Sequence, residues 1–230
     1  AISGANLTGI ESVTKSATVP GSPSEGDQWF NTSANTVSGI STKSMAVYNG
    51  TAWQEASAGL PFSATGGTIT TVGSYTVHKF TSSGSFVATN SGTIDVFVVA
   101  GGGGAGGNMG GGGGAGGLIT QTSVSVSGTN TITVGAGGSG TTARGNSGTN
   151  SVAFSNTAIG GGGGGGSSST TTGLTGGSGG GATGYASSAA GGAGTAAQGN
   201  AGGVNGGSYY SGGGGGAGAA GTAGTGSSRG

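Results

Sequence analysis

Cysteine is absent from the 230 residues, which excludes disulfides, thiolate metal sites and cysteine nucleophiles together. Charge is nearly absent as well: five Lys and Arg balance five Asp and Glu, for a formal net charge of zero. Nucleic-acid binding needs a basic surface to neutralise phosphates, so no nucleic-acid partner is expected. Histidine occurs once, at His78, and lies in a strand pattern without nearby ligand candidates, which reads as structural. Glu25 and Asp27 are the only close carboxylate pair and sit in a turn-rich segment. With so few acid–base groups no enzyme activity, no metal and no cofactor are expected. No apolar run approaches the roughly 18 residues of a membrane-spanning helix, and no signal-peptide pattern opens the chain. It begins Ala1-Ile2-Ser3, which reads as a processed product or the ordered end of something longer.

Glycine is what the sequence has in excess: 64 of 230 residues, against an average usage of roughly 7%. Residues 1–100 hold 12 of them, which leaves 64 − 12 = 52 for residues 101–230. Most charges and aromatics lie in the first part. Beyond residue 100 the only charged side chains are Arg144 and Arg229, and the only aromatics are Phe154, Tyr185, Tyr209 and Tyr210. The division predicts a β module over 1–60, a β-sandwich with the first glycine rods over 61–158, and a glycine bundle over 159–230.

Helix formers are scarce and Thr, Ser, Asn and Val are common, so strands are expected throughout. Asp27-Gln28-Trp29-Phe30-Asn31 forms a short aromatic run. Met45-Ala46-Val47-Tyr48 leads into Asn49-Gly50, a pair that tolerates positive φ at both turn positions, and Ala52-Trp53-Gln54 completes a hairpin. Trp29 and Trp53 suit a sugar-stacking platform in principle, but a small module needs such side chains in its core. This stretch resembles a module of bacteriophage tail fibres. The carrying residues are Gly26-Asp27-Gln28-Trp29-Phe30-Asn31-Thr32 and Val47-Tyr48-Asn49-Gly50-Thr51-Ala52-Trp53, separated by an insertion, 33–44, that reads as a loop.

Further strand-length runs cover 68–72, 75–80, 85–88 and 93–100. Two more, 118–126 and 129–134, are joined near Ser127-Gly128, and together these runs suggest a sandwich. Gly101, Gly103 and Gly106 follow a hydrophobic strand at the dinucleotide-binding spacing. No helix former follows, however, and no acidic residue occurs after Asp95 to hold a ribose. Collagen is excluded because glycine lacks a period of three and proline is too rare. A flexible linker is disfavoured by the distinct short inserts between the tracts and by their lack of charge and proline.

A packed lattice of polyproline-II-like glycine helices (polyglycine II) remains. Such a helix has three residues per turn and no internal hydrogen bonds, so every N–H and C=O must find a partner on a neighbour. Close backbone approach then requires glycine. Candidate rods are 101–117, 160–166, 176–184, 191–207 and 212–226, the longer ones reversing at Asn108-Met109 and Gln198-Gly199-Asn200. The expected fold is all-β: a small β-hairpin stem module, a β-sandwich, and a bundle of polyglycine II helices with recognition loops.

The glycine region resembles the glycine-rich domains of phage tail-tip adhesins, including those of T-even-like long tail fibres. The carrying residues are Val98-Val99-Ala100-Gly101-Gly102-Gly103-Gly104, the run 110–119, Thr131-Ile132-Thr133-Val134-Gly135-Ala136-Gly137-Gly138, and 160–166. The resemblance implies a virion tail-fibre protein, extracellular, that recognises a host cell-surface receptor, either an outer-membrane protein or a polysaccharide. It also implies contact with other virion tail proteins and a homotrimer. Loops on a stiff frame carry recognition, so the candidate receptor-binding residues are Tyr185, Tyr209, Tyr210, Asn108, Met109, Leu174, Gln198, Asn200 and Asn205. Two other readings compete: an ice-binding protein, and a structural filament or sheath subunit.

Overall fold

A computed structural model describes residues 13–56, 62–167, 169 and 171–225. The protein is all-β, with several small sheets and no helix among the described residues. It divides into two compact units, Ala1–Pro61 and Phe62–Gly230.

The first unit is a four-stranded sheet of β1 (Thr14–Ser16), β2 (Gln28–Asn31), β3 (Met45–Tyr48) and β4 (Trp53–Glu55) in that order, with only the β1–β2 pair parallel. The β3–β4 turn forms where Asn49-Gly50 allows it. Gly50 has φ of +87°, and Asn49 Oδ1 accepts the N–H groups of Thr51 and Ala52 at 3.0 and 2.8 Å. Trp29 and Trp53 are buried with Ile40 and Ala46, their rings meeting edge-on at 5.6 Å. They make the core and offer no face to a sugar. The 33–44 segment is held from beneath by the fully buried Asn31, whose Nδ2 donates to the carbonyls of Asn35, Ile40 and Ser41.

Glu55, half-buried at the end of β4, accepts hydrogen bonds that favour its charged form. The Ser44 hydroxyl, then the N–H and hydroxyl of Ser41, hold its carboxyl below the usual glutamate range. A lowered folded pKa contributes stability above the unfolded value of about 4.3 and loses it as pH falls through the folded value. Urea midpoints of the first unit's tryptophan signal, followed below neutral pH, should therefore fall more steeply in the natural protein than in Glu55→Gln. Identical slopes would remove Glu55 from the acid response.

The second unit begins with β5 (Ala64–Thr65), the hairpin β6 (Thr68–Val72) and β7 (Tyr75–Lys79), and two long strands, β8 (Gly84–Val99) and β9 (Leu118–Ile132). β5, β8 and β9 form one antiparallel sheet in that order, and a hairpin of β10 (Ser151–Ala153) and β11 (Asn156–Ala158) packs beside it. Two strand pairs expected from the sequence are thus each one strand. Ser127-Gly128 is not a turn between strands: Gly128, at φ +57°, lies within β9 opposite Ala88, where the register shifts. Residues 89–91 of β8 stand opposite Ser127 alone, so the extra residues of the bulge lie on β8 and the ladder continues past Gly128. Phe86, Val96, Val98, Val126, Ile132 and Ala158 form the buried cluster under this sheet, closed by Phe154 edge-on to Phe86 at 5.2 Å. His78 is structural, with its Nδ1 2.9 Å from the Gly66 carbonyl and its ring 5.1 Å from that of Phe86.

From Ala100 onward the glycine tracts bond to one another with a three-residue repeat. Ala100, Gly103 and Gly106 donate to the carbonyls of Gly117, Gly114 and Gly111; Gly101, Gly104 and Gly107 donate to those of Thr149, Asn146 and Ala143. The remaining positions, Gly102 and Ala105, accept from Gly138 and Thr141. Three successive residues thus face three different neighbours, and no single ladder forms. Residues 135–141 and 144–150 are tracts that composition did not mark, because Ser, Thr, Asn and Ala occupy positions with room for a side chain. The chain reverses at Asn108-Met109 and again between Gly194 and Asn200.

Tracts 160–166 and 176–184 are buried along their whole length. Within the latter, Ser178, Gly181 and Gly184 donate to Ala115, Gly112 and Met109; Gly179 and Ala182 donate to Asn200 and Gly203; Gly177 and Gly180 donate to Gly160 and Leu174. A Cβ on Gly180 would lie 2.1 Å from the Gly163 carbonyl oxygen, and one on Gly179 1.9 Å from that of Gly192. Glycine is required here by the spacing between backbones rather than by its φ.

Candidate functional site

The tracts run alternately away from the β8–β9 sheet and back to it, so their turns gather at two ends. At the end remote from the sheet, the 107–110 turn lies beside 183–185 and 209–211. The Met109 carbonyl accepts the Gly184 N–H and the Thr183 hydroxyl, both at 2.9 Å, and the Ser211 hydroxyl. Tyr209 N–H donates to the Gly184 carbonyl at 2.6 Å. Three loops distant in sequence are thereby tied at Gly184, and Met109, Tyr185, Tyr209 and Tyr210 are brought to one end. All four side chains are exposed, Tyr209 at 73%. Asn108 joins them and reaches the Thr142 carbonyl through Nδ2 at 3.3 Å.

Asn205 is at the same end but buried. Its Oδ1 accepts the Ala189 N–H at 3.1 Å, and its Nδ2 donates to the carbonyls of Ala186 and Gly207. It is therefore a strut between the loop that carries Tyr185 and the loop that carries Tyr209. Leu174 lies along a tract, with its N–H on the Gly163 carbonyl and its own carbonyl accepting Gly180. Gln198 and Asn200 are at the opposite end, next to the sheet. Gln198 accepts the Ile159 N–H at 2.8 Å and donates to the Thr157 carbonyl at 3.1 Å, while Asn200 Nδ2 donates to the carbonyls of Gly216 and Ala217. Both side-chain amides satisfy backbone groups that the glycine tracts leave open.

The remote end carries one charge among the described residues, Arg144, which the sequence did not single out. Its Nη2 donates to the Thr172 hydroxyl at 3.1 Å, and its buried Nε has no hydrogen-bond partner. No His, Asp or Glu follows Asp95 in the chain, and no group of three metal-ligating side chains occurs among the described residues. Phenol rings, a thioether, amides and hydroxyls remain: chemistry for contact and hydrogen bonding, without an acid–base pair.

A glycine-rich domain family model matches residues 80–230, and the chain belongs to that family. The match runs from Phe80 just before β8 to the last residue, so it takes in the long sheet and all of the glycine tracts. No curated protein and no solved structure matches the chain.

Proposed function

We propose that the protein is a bacteriophage tail-fibre receptor-binding protein, whose glycine tracts are polyglycine II helices and whose remote loops recognise a molecule on the host cell surface. Supporting the helix assignment are the three-residue hydrogen-bond repeat and the backbone contacts that exclude a Cβ. The hairpin module with Trp29 and Trp53 in its core supports a place in the fibre, with other tail proteins and further copies of this chain as partners. The β10–β11 hairpin on the β8–β9 sheet acts as a small sandwich at the foot of the bundle. Binding needs neither cofactor nor catalysis.

The observation that carries the receptor reading is backbone strain at the exposed loops. Asn108, Met109 and Tyr209 have φ of 51°, 57° and 74°. A side chain in the left-handed region costs about 1–2 kcal/mol, and glycine is the residue this chain has most of. Keeping Met and Tyr there, with both side chains turned out to solvent, favours a contact role over a folding one.

Purified full-length protein should bind envelopes of a susceptible host, and Tyr209→Ala with Tyr210→Ala should weaken that binding about 30-fold or more, as removal of aromatic anchors does. Tyr209→Gly should weaken binding as well while raising stability by up to about 1 kcal/mol, because it relieves the left-handed strain. Unchanged binding in both variants would refute the assignment of the loops.

A further inference from the structure

Tract 160–166 sits inside the glycine lattice with one side left over. Gly161 and Gly164 donate to the carbonyls of Gly101 and Gly104, and Gly162 and Gly165 to those of Ser178 and Gly181. Between these directions its own carbonyls accept from Gly114 and Gly111, from Gly148 and Gly145, and, at Gly163, from Leu174. A three-residue repeat has three donor and three acceptor directions, so of six places around the tract five are filled. The remaining donors, Gly160 and Gly163, are buried and point to the sixth. No tract among the described residues stands there. The place is a groove of about 260 Å³, lined by Ser147, Asn150, Ile159, Thr175 and Thr195 among others. Side chains of the flanking tract supply the missing acceptors: Asn150 Oδ1 takes the Gly160 N–H at 2.9 Å, and Ser147 Oγ takes that of Gly163 at 3.4 Å. Arg144 lies three residues before Ser147 on the same face, and its Nη2 crosses at 3.1 Å to Thr172, three residues before Thr175.

We propose that Asn150, Ser147 and the Arg144–Thr172 pair are an autoinhibitory seal, which stops the glycine lattice from taking in a further strand of chain at this notch. The inference rests on the reading of the tracts as polyglycine II helices and is independent of the receptor. A row of unpaired backbone groups recruits another chain, as an open sheet edge does. The hazard is greatest here, because a strand laid in the notch would touch 144–150, 160–166 and 171–175 together, where a flat face of the bundle offers only two tracts. Every molecule also carries many glycine tracts that could enter. Bulk alone would block the notch with any side chain. What stands there instead is an acceptor oxygen at each of the two leftover donors, at the three-residue interval of the lattice. Arginine has donors only, and it serves differently: its bond to Thr172 straps the two flanking tracts together across the gap that an incoming strand would have to enter.

Amide hydrogen exchange by NMR on the full-length chain tests the caps, and sedimentation velocity over a wide range of protein concentration tests the seal. Asn150→Ala should speed exchange at Gly160 by about tenfold or more, the equivalent of one net hydrogen bond, and leave Gly161 and Gly162 as slow as in the natural protein. Ser147→Ala should act on Gly163 in the same way but less, since that bond is longer. Asn150→Asp keeps the acceptor oxygen and should keep Gly160 slow, which a role in packing alone does not require. Arg144→Gly with Ser147→Gly and Asn150→Gly opens the notch, and its mass should climb with concentration where the natural protein, whatever its copy number, holds one mass. Circular dichroism separates that association from unfolding, and Ser147→Ala with Asn150→Ala takes the place of the triple variant if the latter loses its fold. Fast exchange at Gly161, Gly162, Gly164 and Gly165 in the natural protein would overturn the helix reading and the seal with it. With those amides slow, the seal alone is overturned by Gly160 exchange that Asn150→Ala does not change, by an opened variant of constant mass, or by a natural protein whose mass climbs as well.

Discussion

Gly180→Ala should destabilise the glycine lattice by about 4 kcal/mol or more, a large part of the 5–15 kcal/mol that holds a typical domain folded. The added methyl would sit 2.1 Å from the Gly163 carbonyl oxygen, far inside the ~3.5 Å of comfortable carbon contact. Neither side can retreat. Gly163 is itself pressed against the next tract, where a Cβ would lie 1.8 Å from the Gly145 carbonyl oxygen. Moving the 176–184 tract instead stretches the bonds from Gly180 to Leu174 and from Gly192 to Gly180, at 2.9 and 2.7 Å. Each buried group left unpaired costs about 1–3 kcal/mol. The controls are Gly137→Ala, where the nearest atom is the Gly102 oxygen at 3.6 Å, and Gly218→Ala, where nothing lies within 4 Å. Those two should be neutral or stabilising by about 0.4–1 kcal/mol through the unfolded chain. Thermal and urea unfolding of the three variants decides the matter: equal losses at Gly180, Gly137 and Gly218 would mean that close backbone contact is not what glycine provides.

Asn205→Ala should cost about 3 kcal/mol and also loosen the candidate site. The buried amide serves the Ala189 N–H and the carbonyls of Ala186 and Gly207, and alanine leaves all three without it. The loops of Tyr185 and Tyr209 then lose their shared strut, although the tyrosines themselves are untouched. Hydrogen exchange at 185–189 and 206–210 should rise selectively, and receptor binding should weaken with it. A global loss of stability without faster exchange in those two loops would make Asn205 an ordinary core residue and not a positioning one.

The loop end was partly legible in the sequence. Tyr185, Tyr209, Tyr210, Asn108 and Met109 interrupt glycine tracts with side chains too large for the lattice, and that interruption marks them. Gln198 and Asn200 interrupt tracts in the same way, yet they lie beside the sheet and bond to backbone. Nothing local distinguishes the two cases, because which end a turn occupies depends on how many tracts precede it. Arg144 escaped notice for a related reason: its neighbour Thr172 is 28 residues away, and only the packing of 141–144 beside the segment before Gly173 brings them together. Similarly, Gly128 reads as turn punctuation in sequence but stays within β9, opposite a bulge of β8, since the choice between them is made by strand pairing across 84–99.

By itself the sequence determined the material of the protein. Removing Cβ from so many positions, with no proline period and almost no charge, leaves backbones whose only recourse is to bond to one another at close range. It also determined the tryptophan core of the first unit and the Asn49-Gly50 turn, which rest on local chemistry. The tertiary structure decided the rest: which tract neighbours which, that the serine- and threonine-bearing residues 135–150 join the lattice, and that tyrosines collect at one end while amides brace the other. The physical reason is that an extended repeat without internal hydrogen bonds carries no local preference for a partner. Tracts of nearly identical composition are told apart only by the turns and sheets that connect them.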